Sequence, residues 1–323
     1  MTTALARFHE IPRLNLGVYP TPVEEMPRLR AALGGGPRLY VKRDDYTGPG
    51  FGGNKVRKLE YVFAQARAEG VDTVLTMGGI RSNHARVTAA IAAKLGIECH
   101  LILNGGAQGP MPASRYLDDL YGATIHPVAT PGERAPVMQG IATELRAIGR
   151  RTMEIPLGAS DALGAMGYVH AAEEIAQSGL RFDAIFHCSS SGGTHAGLDA
   201  GLQLFGLGGA RLIGVSPDDP SAEIAAQVAE VRDGIAERLG VYLGRPLEVD
   251  DGFIGEGYGI PTPEGDAALR LLARTEAMVL DPVYTAKAMA SLIARVGGGE
   301  FSKDQAILFI HTGGQLALFN AAS

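Results

Sequence analysis

Tryptophan is absent from the 323 residues, and aromatic side chains make up only 6% of them. A chain so poor in flat side chains offers no ladder on which nucleotide bases could stack. Lys plus Arg number 29 against 35 Asp plus Glu, a formal net charge of −6. That balance supplies no electrostatic footprint for nucleic acid and no polybasic patch for a membrane surface. Only two cysteines occur, Cys99 and Cys188, each inside an apolar, strand-like run. Two are too few for a disulfide framework and read as buried free thiols in a reducing compartment. No stretch reaches the roughly 18 uninterrupted apolar residues of a membrane span. Met1 to Arg7 lacks the basic start and apolar run of a signal peptide. The expectation is a cytoplasmic protein with neither nucleic acid nor membrane as partner.

What is present is a large apolar fraction, 46% of the chain, enough for a sizeable core and two lobes. Residues 1–37 read as irregular and proline-rich, with Thr21-Pro22 opening a short helix. Beyond them, period-2 and period-3.6 apolar patterns alternate. Strands are expected at 39–42, 73–77, 99–103, 123–128, 152–155, 183–188, 211–215 and 305–311. Helices are expected at 55–70, 87–95, 112–120, 132–148, 163–178, 194–205, 220–240, 263–274 and 284–296. Strands separated by helices imply an α/β fold with parallel sheets covered on both faces. Gly105 to Pro112 reads as a flexible loop.

Two glycine-rich turns carry the chemistry. Phe51-Gly52-Gly53-Asn54-Lys55 runs straight into an amphipathic pattern at Leu59, Val62, Phe63 and Ala66. Paired glycines permit close backbone approach and unusual dihedrals, and a helix start fixes the direction of Lys55. Taken alone, this segment is better described as a surface turn with a solvated lysine. Far downstream, Ser189-Ser190-Ser191-Gly192-Gly193-Thr194 lies between an apolar strand and a helix. Small hydroxyl residues and exposed N–H groups at a helix N-terminus suit a phosphate dianion. Neither a Walker pattern nor G-x-G-x-x-G occurs there, so a small phosphorylated cofactor fits better than a nucleotide, and a nicotinamide dehydrogenase is disfavoured. No serine is flanked by glycines as in a nucleophile elbow. A lysine on one such turn and a phosphate cup on the other describe pyridoxal 5′-phosphate held through an imine.

Phe51 to Glu60 strongly resembles the lysine segment of the D-cysteine desulfhydrase and 1-aminocyclopropane-1-carboxylate (ACC) deaminase family, which belongs to the tryptophan-synthase-like, fold type II pyridoxal-phosphate enzymes. Seven further blocks, one before this segment and six after it, stand in the matching order. They begin at Lys42, Gly78, Gly164, Gly193, Gly257, Asp281 and His311, so the likeness covers nearly the whole chain. The resemblance implies that Lys55 binds the cofactor covalently, with Asn54 beside it. Ser190, Ser191, Gly192, Gly193 and Thr194 would hold the phosphate, and Asn83 would hydrogen-bond the cofactor's ring hydroxyl. Ser82 would face the substrate carboxylate, with His84 either helping to grip it or covering the loop. Read without the family, Ser82 or Asn83 is simply a helix N-cap. Tyr258 and Tyr284 would face the substrate as proton donors or polar walls.

Thr312 falls where the family approaches the pyridine nitrogen. A threonine hydroxyl brings no charge to keep that nitrogen protonated, so the electron sink is weaker and prompt loss of a β-substituent is favoured. ACC deaminases resemble one another in carrying an acidic residue just after Asp-Pro-Val-Tyr, and leucine in place of Thr312. Here Thr285 follows Tyr284. Arg81 replaces an uncharged residue and either faces solvent or recognises an anionic substrate group such as a sulfonate.

The resemblance therefore implies β-elimination from a cysteine-like amino acid, foremost D-cysteine, giving pyruvate, ammonia and hydrogen sulfide. ACC deaminase or L-cysteate sulfo-lyase activity, or a non-catalytic cofactor carrier, are the alternatives. It also implies a large cofactor domain of residues 1–57 and 165–323, a small α/β domain of 58–164 closing over the substrate, and a homodimer.

Overall fold

The computed structural model describes residues 2–105 and 111–320, so most of the loop expected from Gly105 to Pro112 lies outside the described residues. The chain runs α1 (Thr2–Glu10), β1 (Val23–Glu25), α2 (Pro27–Ala32) and β2 (Arg38–Lys42) into the helix α3 (Asn54–Ala68). Next come β3 (Thr73–Gly79), α4 (Asn83–Leu95), β4 (Glu98–Asn104), α5 (Ala113–Leu120), β5 (Thr124–Val128), α6 (Arg134–Ala147) and β6 (Thr152–Glu154). The alternation continues through α7 (Ala162–Gln177), β7 (Ala184–Cys188), α8 (Gly193–Leu204), β8 (Arg211–Val215), α9 (Ser221–Leu239) and β9 (Glu248–Asp250). Two helices, α10 (Pro263–Glu276) and α11 (Thr285–Gly297), precede the last strand, β10 (Ala306–Ile310).

The strands form two sheets, one ordered β1-β2-β10-β7-β8-β9 and the other β5-β4-β3-β6. All pairings are parallel except β1 with β2. Every residue of β7 and β10 is buried, as central parallel strands require when helices cover both faces. Side chains divide between those faces with period two. Leu39, Val41, Ile307 and Phe309 pack with α2, α10 and α11. Tyr40, Leu308 and Ile310 pack with α7 and α8. A third apolar cluster runs from α3 through β3 and β4 to α7 and α9, and α3 itself spans the expected boundary between residues 57 and 58.

Three sequence expectations need correction. The first residues are not irregular: Ala4 and Phe8, four apart on α1, are buried in the cluster beneath α9. Thr21-Pro22 opens no helix but leads into β1, and the helix begins later, at Pro27, a residue suited to a first helical turn. Strand β9 was not anticipated, because Glu248-Val249-Asp250 is short, acidic and at the sheet edge, with too few residues to show a period.

A buried ionic network fixes where α3 starts. Arg57 donates to both carboxylate oxygens of Asp44, at 2.9 and 2.8 Å, and to both of Glu174, at 2.7 and 2.9 Å. Lys42 Nζ reaches Glu174 at 2.6 Å, and the Tyr168 hydroxyl donates to Asp44 at 2.7 Å. Burial alone would raise the Asp44 carboxyl, but Arg57 and Lys42 hold it down at about 2. Breaking one such buried pair costs about 3–5 kcal/mol. The first turn of α3, and Lys55 with it, is thereby pinned to β2 and α7.

Candidate active site

A cavity of about 360 Å³ opens beyond the carboxyl ends of β3, β7, β8 and β10, the place where open parallel sheets bind ligands. Of the site residues singled out from the sequence, all but Gly193 line it; Gly193 begins α8 immediately behind. Arg81 is exposed and does not line it, and Thr285 is buried with its hydroxyl on Asp281 at 2.6 Å.

Lys55 occupies the first turn of α3. Gly53 makes that turn possible: its φ is 97°, and a Cβ there would stand 2.8 Å from the Thr312 carbonyl oxygen. The Asn54 N–H donates to the same oxygen at 3.0 Å, tying the lysine turn to the loop after β10. Lys55 Nζ donates to Asn54 Oδ1 at 3.0 Å, and Asn54 Nδ2 donates to Thr194 Oγ1 at 3.1 Å. One amide thus links the amine to the serine-glycine loop. Burial pulls the Lys55 ammonium down to about 8, and the positive charge of Arg86 acts in the same direction. About a tenth of the amine is therefore neutral at pH 7, far more than for an ordinary lysine, and a carbonyl-directed nucleophile requires that form.

The loop from Ser189 to Thr194 turns into α8; the Gly193 N–H donates to the Ser191 carbonyl at 2.9 Å, and the next N–H groups of that first turn lack an intrahelical acceptor. Ser191 Oγ lies 2.7 Å from Ser160 Oγ. Lys58 Nζ, one helical turn after Lys55, donates to Ser160 Oγ at 3.0 Å and to the Gly158 carbonyl at 3.2 Å. A Cβ on Gly193 would stand 2.8 Å from that ammonium. Lys58 is buried, and none of its hydrogen-bond partners among the described residues is a carboxylate. Burial, and then Lys55, depress it well below the usual lysine range. Ser189 Oγ and Asn104 Oδ1, both on the cavity wall, are buried without hydrogen-bond partners among the described residues. Hydroxyls, helix-terminal amides and a buried lysine whose charged form only an anion would restore together are what a phosphate monoester dianion needs. The residues present fit that group. Ser190 departs from the expectation in one respect: its hydroxyl donates to Asp218 Oδ2 at 2.9 Å.

On the opposite wall, Ser82 is the N-cap of α4, accepting from the Ala85 N–H at 3.2 Å, which leaves its own proton free to donate. Arg86 Nη1 donates to Asn83 Oδ1 at 2.6 Å. Since guanidinium only donates, the carbonyl end of Asn83 is fixed there and its amide N–H₂ is left for a ligand. Thr76 gives its proton to the Ile155 carbonyl at 2.9 Å, so at 2.8 Å from His84 Nε2 it must accept. Burial and two lysines hold the ring neutral, well below the usual histidine range. Its Nδ1 is then a bare acceptor, buried and unpartnered.

Tyr258 and Tyr284 meet hydroxyl to hydroxyl at 2.6 Å. Asp281 accepts from the N–H groups of Val283, Tyr284 and Thr285 and so shapes the turn that presents Tyr284. Burial and then Tyr258 push the Tyr284 phenol well above its usual range, so it stays protonated. Lys58, Ser160, Asp218 and Arg86 escaped the sequence reading. Asp218 could have been found, since it follows β8 at the same sheet edge; Lys58 and Arg86 sit at helix positions that look like solvent-facing charge.

A family model described as pyridoxal-phosphate dependent enzyme matches residues 14–313. A D-cysteine desulfhydrase of Klebsiella pneumoniae (strain 342) is 41% identical over 324 residues, covering 98% of each chain. The crystal structure of an ACC deaminase homologue superposes with a TM-score of 0.91 at 35% identity, covering 99% of this chain and 97% of the other. A threonine deaminase isoform of Solanum lycopersicum, 16% identical, shares the fold with a TM-score of 0.72 over 97% of this chain and 84% of its own. The chain belongs to the pyridoxal-phosphate dependent enzymes of fold type II.

Proposed function

We propose that this enzyme is a lyase that removes the β-sulfur of D-cysteine, releasing pyruvate, ammonia and hydrogen sulfide. The observation that carries the reading is the shared cavity: an amine poised to be neutral, Lys55, faces it together with the hydrogen-bonded Tyr258–Tyr284 pair and the start of α4. Bound there, pyridoxal 5′-phosphate supplies an aldehyde for the substrate's amino group and a ring that withdraws electrons from Cα. Ser191 to Thr194, with Lys58 and the first turn of α8, would hold its phosphate, Ser190 offering its backbone while its hydroxyl stays on Asp218. Asn83 offers its amide N–H₂ to the ring hydroxyl, and Thr312 its hydroxyl to the ring nitrogen.

The remaining roles follow from donors and acceptors. The Ser82 hydroxyl and the first-turn amides of α4 take the substrate carboxylate. His84, with only an acceptor free, covers the loop rather than gripping an anion. Lys55, as a neutral amine, would remove the Cα proton. The tyrosine pair, kept protonated, stands at the departing sulfur and gives it a proton. The neutral Thr312 and the absence of an acid at Thr285 support sulfur loss over ring opening of the cyclopropane acid, and the exposure of Arg81 removes the reason to favour cysteate. We assign 1–57 and 165–323 to a large domain and 58–164 to a small one, in keeping with the two sheets. A cytoplasmic homodimer without a nucleic-acid partner completes the reading; among the described residues no helix is long and apolar enough to cross a membrane.

Pyruvate release from D-cysteine, L-cysteine, L-cysteate and ACC tests the assignment. D-cysteine should give the highest kcat/KM; faster turnover of another substrate, or none with cofactor bound, overturns it. A second expectation concerns pH. The rate at which apo-protein captures the cofactor depends on the neutral fraction of Lys55, so it should climb about tenfold per pH unit below about pH 8 and level off above it. A climb that continues towards pH 10 would mean an unperturbed amine. Stopped-flow absorbance reads the rate.

A further inference from the structure

Apart from Phe253, which packs against the core beside α10 and α11, the loop that carries Tyr258 is held mainly by hydrogen bonds. Residues 251–262 form neither helix nor strand, and Tyr258 itself is 57% exposed, so packing does not fix its ring. Among the described residues, the hydrogen bonds that leave 253–261 are three. Tyr258 meets Tyr284, and the carbonyls of Ile254 and Gly257 both accept from Lys287 Nζ, at 2.7 and 3.2 Å. The same ammonium donates to the Pro217 carbonyl at 2.8 Å, immediately before Asp218 of the cavity wall. Lys287 lies in the first turn of α11, three residues after Tyr284, and its side chain is fully buried. All three ammonium protons are thus spent on backbone carbonyls of two site loops, and none on a carboxylate.

We infer that Lys287 is the positioning residue for Tyr258: its ammonium gathers the Tyr258 loop and the loop after β8 onto the helix that presents Tyr284, and so sets the separation of the two phenols. The inference rests on the reading above in which Tyr258 serves the sulfur. An ammonium suits this task because three donors in a compact head satisfy three converging carbonyls at once. An uncharged stem of equal length leaves those buried oxygens unpaired. The loop then has no hydrogen bond to the body of the protein other than the one between the phenols, and that bond alone must restrain an exposed ring.

The test compares holoenzyme variants Lys287→Met, Lys287→Ala, Tyr258→Phe and Lys287→Met with Tyr258→Phe, each assayed for kcat and KM separately. Misplacing a reacting group by about 1 Å can cost about a hundredfold, so Lys287→Met is expected to lower kcat by ten- to a hundredfold, with KM and the cofactor absorbance little changed. The double variant should be scarcely slower than Tyr258→Phe alone, because the two residues act as a unit. Hydrogen exchange in 253–261 should rise in both Lys287 variants. In Lys287→Ala, potassium or ammonium chloride should restore part of kcat by entering the vacated carbonyl nest, and tetramethylammonium chloride at equal ionic strength should not. Unchanged kcat and exchange in the Lys287 variants, losses that multiply in the double variant, or equal rescue by tetramethylammonium would each overturn the inference. An inactive Tyr258 role shows separately, as full kcat in Tyr258→Phe, and exchange then still reports whether Lys287 holds the loop.

Discussion

Lys55→Ala is expected to abolish turnover, with at least a thousandfold loss, and to remove the long-wavelength absorbance of covalently held cofactor. The magnitude follows from two roles lost together, the nucleophile that holds the cofactor and the base at Cα, the second alone supplying about 10²–10⁴-fold. No neighbour can substitute. Lys58, one turn further on, points its amine to Ser160 and Gly158 on the phosphate side. Folding should survive, since the side chain removed is desolvated and, among the described residues, hydrogen-bonds Asn54 alone. The thermal midpoint of the apo-variant should therefore match or exceed that of the apo-wild type. Retained absorbance in a folded Lys55→Ala protein would contradict the covalent assignment.

Lys58→Met is expected to weaken cofactor affinity by at least about thirtyfold. Truncating one side of a buried, hydrogen-bonded charge pair costs about 2–5 kcal/mol, and each 1.4 kcal/mol is tenfold. The sign in the apo-protein is opposite. There the ammonium is buried, lacks a carboxylate hydrogen bond and is disfavoured by burial and by Lys55. Methionine in its place should leave the apo-protein no less stable, while the stabilisation gained on adding cofactor shrinks with the lost affinity. Equilibrium titration and thermal melts with and without cofactor separate the two effects. Equal affinity in the variant would place the phosphate away from Ser160 and Ser191.

Much of the fold was legible because long parallel-sheet strands declare themselves. Ala306-Ile307-Leu308-Phe309-Ile310 and Ala184 to Cys188 are apolar runs bounded by helical periods, and their burial on both faces followed. What stayed hidden depends on distance in space. Glu248–Asp250 is a strand only because β8 pairs with it, and α1 is held by distant partners, the pocket that Ala4 and Phe8 fill beneath α9 and the Leu239 carbonyl that accepts from Arg7. The two glycine-rich turns marked the cavity because their residue types serve backbone geometry, which is local. Lys58, Arg86 and Lys287 gave no such signal. Each is a charged residue on a helix, where solvent exposure is the usual outcome, and each is instead fully buried with backbone carbonyls or site side chains as partners. Ser190 shows the converse. Its place in the serine run predicted a phosphate contact, but Asp218, brought in by the loop after β8, receives its proton.

The central claim is that one amine out of six lysines in the chain carries the cofactor. Borohydride reduction of the holoenzyme, followed by proteolysis and peptide mass mapping, tests it most directly. The account predicts a single pyridoxyl adduct on Lys55, in the peptide that follows Gly52-Gly53. An adduct on Lys58, Lys287 or any other lysine, or no adduct from protein that still shows bound cofactor, would contradict it.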